Sequence, residues 1–194
     1  MLFLNKYHSA NWLLYIGCFY ILIAGGCKST EKVKEDPAEA KYEFQCSGED
    51  YIQSSENFRV HYIGESVDQP TSMKKGIQFA QQELAGSIKT VLNKTIENYL
   101  TNDGLPIDEA VKDTIVAITG PIGEELIERV NVICEESIKT LNGLYRTYVV
   151  LEISANEVLD ELEKKMKENA QFQVDIHSPK FKGIFEHQMN KNLR

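Results

Sequence analysis

The side chains of this chain that could do chemistry are four cysteines, four histidines and 29 carboxylates. Their spacing decides what they could do. His61, His177 and His187 form no His-Glu-x-x-His pair and have no cysteine close by in the sequence, so no zinc motif is present. His61 falls in a strand-like stretch, opposite the Val60 face, and reads as a half-exposed surface histidine. No Gly-x-Ser-x-Gly elbow occurs, nor a glycine-rich loop followed by Lys-Ser/Thr that could cradle phosphate. Gly120-Pro121-Ile122-Gly123 has the outline of a nucleic-acid-clamping Gly-x-x-Gly loop, but in an acidic chain it reads as a helix break. Glu124-Glu125 and Glu135-Glu136 are adjacent pairs, whereas a glycoside-cleaving site needs two carboxylates facing each other across a cleft. The residues therefore assign no catalytic group, no metal ligand, no cofactor site and no small-molecule substrate, and the expectation is a protein that is not an enzyme.

One cysteine is different. The N-terminus carries Lys6 and then an almost wholly apolar run of twelve residues, Trp12 to Ile23. Ala24-Gly25-Gly26 and Cys27 follow, and from Lys28 the composition turns abruptly polar. A charged start, a short apolar run and a small-residue exit form a secretory signal peptide. The run is shorter than the ~18–20 apolar residues that span a bilayer. An uncleaved anchor, or an ordinary signal with a chance cysteine, are the alternatives, and both export the rest of the chain.

Ile21-Leu22-Ile23-Ala24-Gly25-Gly26-Cys27 resembles the lipobox of bacterial lipoproteins. Gly25 and Gly26 fit it well, while Ala24 stands where that pattern usually has leucine. The resemblance implies cleavage before Cys27, diacylglycerol on the Cys27 thiol and acylation of the new amino group. Each buried methylene contributes ~0.8 kcal/mol, so two or three chains hold stably where one does not. Lys28 is not the aspartate that retains such proteins in the inner membrane, so the resemblance implies the outer membrane, with the domain in the periplasm or on the cell surface.

Cleavage would leave residues 27–194, with 20 basic side chains against 29 acidic ones, a balance of −9. An acidic face cannot displace the counterions of a nucleic acid, which argues against nucleic-acid binding. Cys46 and Cys134 remain. They could form one disulfide in an oxidising compartment, but the favoured reading is two free, largely buried thiols, because one pair of cysteines fixes no geometry. Residues 27–43 read as lipidated cysteine and flexible tether, rich in Lys and Glu with Pro37 inside. Residues 44–194 read as a single globular domain.

The elements that position these residues follow from periodicity. Phe58-Arg59-Val60-His61-Tyr62-Ile63-Gly64 alternates as a strand. From about Thr71 to Leu100, Met73, Ile77, Ala80, Leu84, Ile88, Val91, Thr95 and Tyr99 draw one stripe along a helix. A second helix starts at Pro106, with Ile107, Val111, Ile115 and Ile118 on one face, and breaks or kinks at Gly120-Pro121. Asn142-Gly143 predicts a two-residue type I′ hairpin in which Leu141 faces Leu144. That register sets Cys134 against Leu151 and Glu136 against Val149, with Cys134 pointing into the core and a bulge near Glu136. Ser154-Ala155-Asn156-Glu157 launches a helix with Val158, Leu162 and Met166 inward, and Ser178-Pro179 opens a last one with Phe181, Ile184, Phe185 and Met189. The fold class is α+β: an antiparallel sheet of three or more strands, a long helix packed across one face, and C-terminal helices.

Cys46-Ser47-Gly48, then Gly64-Glu65-Ser66-Val67-Asp68, then a helix with Ala80, Leu84, Ala85 and Ile88, a hairpin and a C-terminal helix pair resemble the LPP-twenty type of bacterial lipoprotein. The likeness covers roughly residues 44–190; Gly76 stands where that family often has alanine. It implies an α+β envelope domain with no enzyme activity and carries over no catalytic residue. The expectation is a non-catalytic, lipid-anchored cell-envelope protein, held to the membrane through Cys27, whose domain is a protein- or peptidoglycan-associated interaction module. The alternatives are an envelope hydrolase with a site assembled from distant residues, and a surface adhesin or antigen.

Overall fold

The computed structural model describes residues 45–169 and 174–191. Two 3₁₀ turns, Gln45–Ser47 and Glu49–Tyr51, precede β1 (Asn57–Ser66). Then come α1 (Gln69–Asn102), α2 (Glu109–Leu126), a 3₁₀ turn Ile127–Arg129, β2 (Asn131–Lys139), β3 (Tyr145–Ser154), α3 (Ala155–Glu168) and α4 (Pro179–Lys191). The strands form one antiparallel sheet in the order β1-β3-β2, with α1 across one face. The fold is α+β, as the periodicity predicts.

The 34-residue α1 starts where Asp68 caps it: Thr71 N–H donates to Asp68 Oδ1 at 2.9 Å. That bond holds the Asp68 carboxyl below its ordinary range. The inward stripe runs Ser72, Gly76, Ala80, Leu84, Ile88, Val91, Thr95. Its first turns therefore differ from the expected Met73 and Ile77, which are only half-buried. Small residues face the sheet at this point because the backbones nearly touch. A Cβ on Gly64 of β1 would lie 1.9 Å from the Ser72 carbonyl oxygen and 2.5 Å from the Gly76 nitrogen. Beside this contact Thr147 is fully buried, with its hydroxyl 2.5 Å from that of Ser72 and 2.8 Å from that of Ser137. Ser72 in turn donates to the Gln69 carbonyl at 3.1 Å, so this chain of hydroxyls is satisfied.

Below this point the core is apolar. Phe58 and Val60 of β1 and Val149, Leu151 and Ile153 of β3 pack against Ala80, Leu84 and Ile88. Further along, α1 passes the sheet and is surrounded by helices. Phe181 and Phe185 of α4 meet Tyr99 and Phe58 edge-on at 5.6 and 6.1 Å. The stripe Val158, Leu162 and Met166 of α3 is buried as predicted.

Two expectations change. First, α2 runs unbroken through Gly120-Pro121 to Leu126. Asp108, not Pro106, caps it, accepting from Val111 N–H at 2.9 Å. Pro121 is exposed, while its neighbours Ile122 and Gly123 pack onto α1. A Cβ on Gly123 would lie 2.8 Å from Ala85 Cα, so the packing holds the helix continuous across its missing N–H.

Second, the β2–β3 loop has three residues, not two. Thr140 and Leu144 close it, with Thr140 N–H donating to Leu144 O at 2.8 Å and Gly143 N–H to Thr140 O at 2.9 Å. Gly143 takes φ +80°, the left-handed position of a three-residue loop. This moves the register by one: Cys134 pairs with Val150, Glu135 with Val149 and Glu136 with Tyr148. A one-residue shift turns every side chain to the other face. Cys134 therefore lies on the face away from α1, contrary to expectation. The bulge falls between Val132 and Cys134 rather than at Glu136.

These contacts separate glycines that packing requires from those it does not. Gly64→Ala is expected to destabilise the domain by about 3 kcal/mol or to prevent folding, because a backbone atom occupies the methyl's place. Gly183→Ala, in α4 with nothing within 4 Å, is expected to stabilise by ~0.5–1 kcal/mol. Urea midpoints of the two variants check both signs.

Candidate functional site

Cys27, the residue expected to carry lipid, lies outside the described residues. The described chain enters the domain at Cys46, and this entry is built. Cys46 is buried and bonded to Cys134 across 88 residues, with Cα atoms 5.6 Å apart. The pair is a disulfide, not two free thiols. The register shift explains it: by turning Cys134 out of the helix-covered core, it presents the sulfur to the segment crossing the sheet's other face.

That segment is held at two further points. His61 Nε2 donates to the Tyr51 carbonyl at 2.7 Å, which sets its tautomer. Arg59 donates to the Ile52 carbonyl at 2.7 Å and, through Nε, to Glu152 at 2.6 Å. Arg59 and Glu152 are direct partners across β1 and β3. Val150, beneath the segment, is fully buried although it faces away from α1.

The rest of this face is open. Ile63, 49% exposed, is the cross-strand neighbour of half-buried Tyr148, and Ile138 lies on the far side of β3. Glu65 and Arg146 border them, with Arg146 Nε and Nη2 both donating to Glu65 Oε1 at 3.0 and 2.8 Å. Glu65, and then Tyr148, hold the Arg146 guanidinium above its ordinary range. An antiparallel sheet with one face on a core and one uncovered normally carries polar residues outward. Here the outward row mixes two aliphatic side chains and a tyrosine with a fixed ion pair, which suits contact with another surface.

A second concavity lies on the other side of the molecule. Beside the contact of α2 with α1 at Ala85 and Gly123 lies a cleft of about 720 Å³. Gln78, Phe79, Gln82 and Lys89 of α1 line one wall and Glu124 the other, with Gly86 and Gly120 between. Phe79 is 45% exposed and its ring stacks on Tyr62 at 5.2 Å.

The remaining charged residues build structure. Glu161 in α3, 4% exposed, accepts from Lys164 at 2.8 Å and from Arg129 at 2.7 Å. It thereby ties α3 to the turn after α2. Glu125 pairs with Lys165 at 2.6 Å, and Glu135 is exposed. His177 reaches Glu163 at 3.5 Å, and His187 is exposed on α4. Among the described residues no three of His, Cys, Asp and Glu gather as metal ligands, and no helix is long and apolar enough to cross a membrane. The sequence reading missed both the entry strap and the cleft. Cysteines 88 residues apart and glutamines on a solvent face carry no local pattern that pairs them with what they meet.

Replacing Cys46 and Cys134 with serine is expected to cost about 4–5 kcal/mol on the chain-entropy account of an 88-residue loop, read from urea unfolding with and without a reducing dithiol. The Glu161 carboxyl gives a pH signature. Hydrogen bonds from Lys164 and then Arg129 hold its folded pKa below the ordinary range. Its contribution is therefore present above about pH 4.3, the unfolded value, and is lost as the pH falls through the folded value. Glu161→Gln is expected to destabilise at pH 7 and to flatten the fall of the urea midpoint as the pH drops below about 4.3; an unchanged slope would contradict this.

No family model, curated protein or solved structure matches the chain.

Proposed function

We propose that this chain is a lipid-anchored protein of the bacterial outer membrane, acylated at Cys27, whose α+β domain is a non-catalytic interaction module for an envelope partner, either protein or peptidoglycan. The observation that carries the reading is Ile21–Cys27: small residues ahead of a thiol at the end of a short apolar run. The Cys46–Cys134 disulfide supports it independently, since such bonds persist in exported proteins and are rare where thiols are kept reduced. The domain supports it too, with an open sheet face and a cleft that a partner could occupy.

The position of the strap gives the proposal a geometry. Cys46 follows Cys27 by nineteen positions, so the chain between them can span at most about 65 Å. Any pull along the tether arrives at Cys46, and the disulfide passes it directly to β2. The domain is thus secured at the sheet rather than by a frayed terminus.

Mass spectrometry of the N-terminal peptide tests the anchor. The expected mature terminus is Cys27 carrying two or three acyl chains, and Cys27→Ser is expected to leave the leader uncleaved and the peptide unacylated. An unmodified Cys27, or a mature terminus elsewhere, would overturn the proposal.

A further inference from the structure

Three helix-interior glycines have open space where a Cβ would stand: Gly86, Gly120 and Gly183. None has positive φ, so neither backbone conformation nor close packing calls for them. Each lowers helix stability by ~1 kcal/mol relative to alanine. Two of the three, Gly86 in α1 and Gly120 in α2, line the same cleft. A larger side chain at either position would enter open space at the cleft lining.

The walls carry a specific chemistry. Gln78, Gln81 and Gln82 project from consecutive turns of α1, and none of their carboxamides makes a hydrogen bond among the described residues. A carboxamide offers a donor and an acceptor on one planar group, which matches another amide. Phe79 adds an apolar platform. Tyr62 stacks on one face of its ring, with the planes 25° apart, and so fixes the ring while it remains substantially exposed. The volume falls within the ~300–1,000 Å³ of ligand sites. Amides beside a fixed aromatic ring, with Lys89 and Glu124 at the walls, fit a ligand with amide groups on an otherwise polar body and apolar ring faces.

We infer that the α1–α2 cleft binds a chain of N-acetylated amino sugars, the chemistry of the peptidoglycan strand. The acetamido groups pair with the glutamine carboxamides, and the face of one sugar ring lies on Phe79. This deepens the reading of the domain as an envelope-binding module and rests on that reading for the ligand's presence, but not for the cleft's capacity to bind.

Titration calorimetry of the purified mature protein in detergent, with tetra-N-acetylglucosamine as probe, tests it. Saturable binding with a Kd of about 1 mM or tighter is expected. Cellotetraose, which lacks the acetamido groups, should bind about tenfold more weakly. Gly86→Leu fills the cleft with a strong helix former, so it should abolish binding while leaving Tm unchanged or raised. Phe79→Ala should weaken binding about tenfold and provides a second variant that adds no bulk. Purified sacculi should co-sediment the wild type and not Gly86→Leu. Absence of binding to the oligosaccharide or to sacculi, equal binding of cellotetraose, or wild-type affinity in Gly86→Leu would each overturn the inference. Binding by a protein whose Cys27 proved unacylated would overturn the anchor and leave the cleft assignment standing.

Discussion

The contact on which the other packing depends is the near-touching of two backbones, Gly64 of β1 and the Ser72–Gly76 turn of α1. A 34-residue helix cannot be positioned by propensity alone, because its stability comes mainly from what its stripe buries. Here the first turns sit flat on the sheet, where a methyl group would already be too large. That fixes the depth and rotation of α1, and so determines that Ala80, Leu84 and Ile88 meet Phe58, Val60 and Leu151. Because α1 is long, the same seating carries its far half beyond the sheet, where α2, α3 and α4 complete the core. The buried hydroxyls of Ser72 and Thr147 belong to this arrangement: at so short a separation only small side chains fit, and each needs the other as a partner.

The two faces of the sheet are then built by different means. The α1 face is held by apolar burial. Among the described residues no helix covers the other face, and the chain entering the domain closes half of it with one covalent bond and side-chain hydrogen bonds to carbonyls. A segment of this length buries too little apolar surface to hold itself down, so cross-linking supplies what packing does not. The open half keeps its ion pair and its exposed isoleucine, and the cleft behind α1 keeps its glycines. Both places retain features that stability alone would have removed.

The hairpin shows how a small local choice propagates. Asn142-Gly143 marked the turn correctly as to place, but a left-handed Gly143 serves a three-residue loop as well as a two-residue one. β2 is an edge strand whose apolar residues do not alternate cleanly, so nothing in its own pattern opposes the shift. Cys134 changed faces in consequence, and with it the answer to whether Cys46 has a partner.

What the chain determined unaided was whatever depends on neighbours in sequence: the apolar run Trp12–Ile23 with Cys27 after it, the strand at Phe58–Gly64, the long helix, the capping motif at Ser154 and the buried stripe Val158-Leu162-Met166. These rest on periodicity and capping, which act within a few residues. What only the tertiary structure decided was whatever depends on distance in space. Gly76, not Ile77, faces the sheet; α2 crosses Pro121 intact; Cys46 finds Cys134; and two glycines 34 residues apart open one cleft. The physical reason is that each depends on which elements lie beside one another: at Gly76 and Pro121 a close approach overrides a local preference worth about 1–3 kcal/mol, and no stretch of sequence records what its eventual neighbour will be.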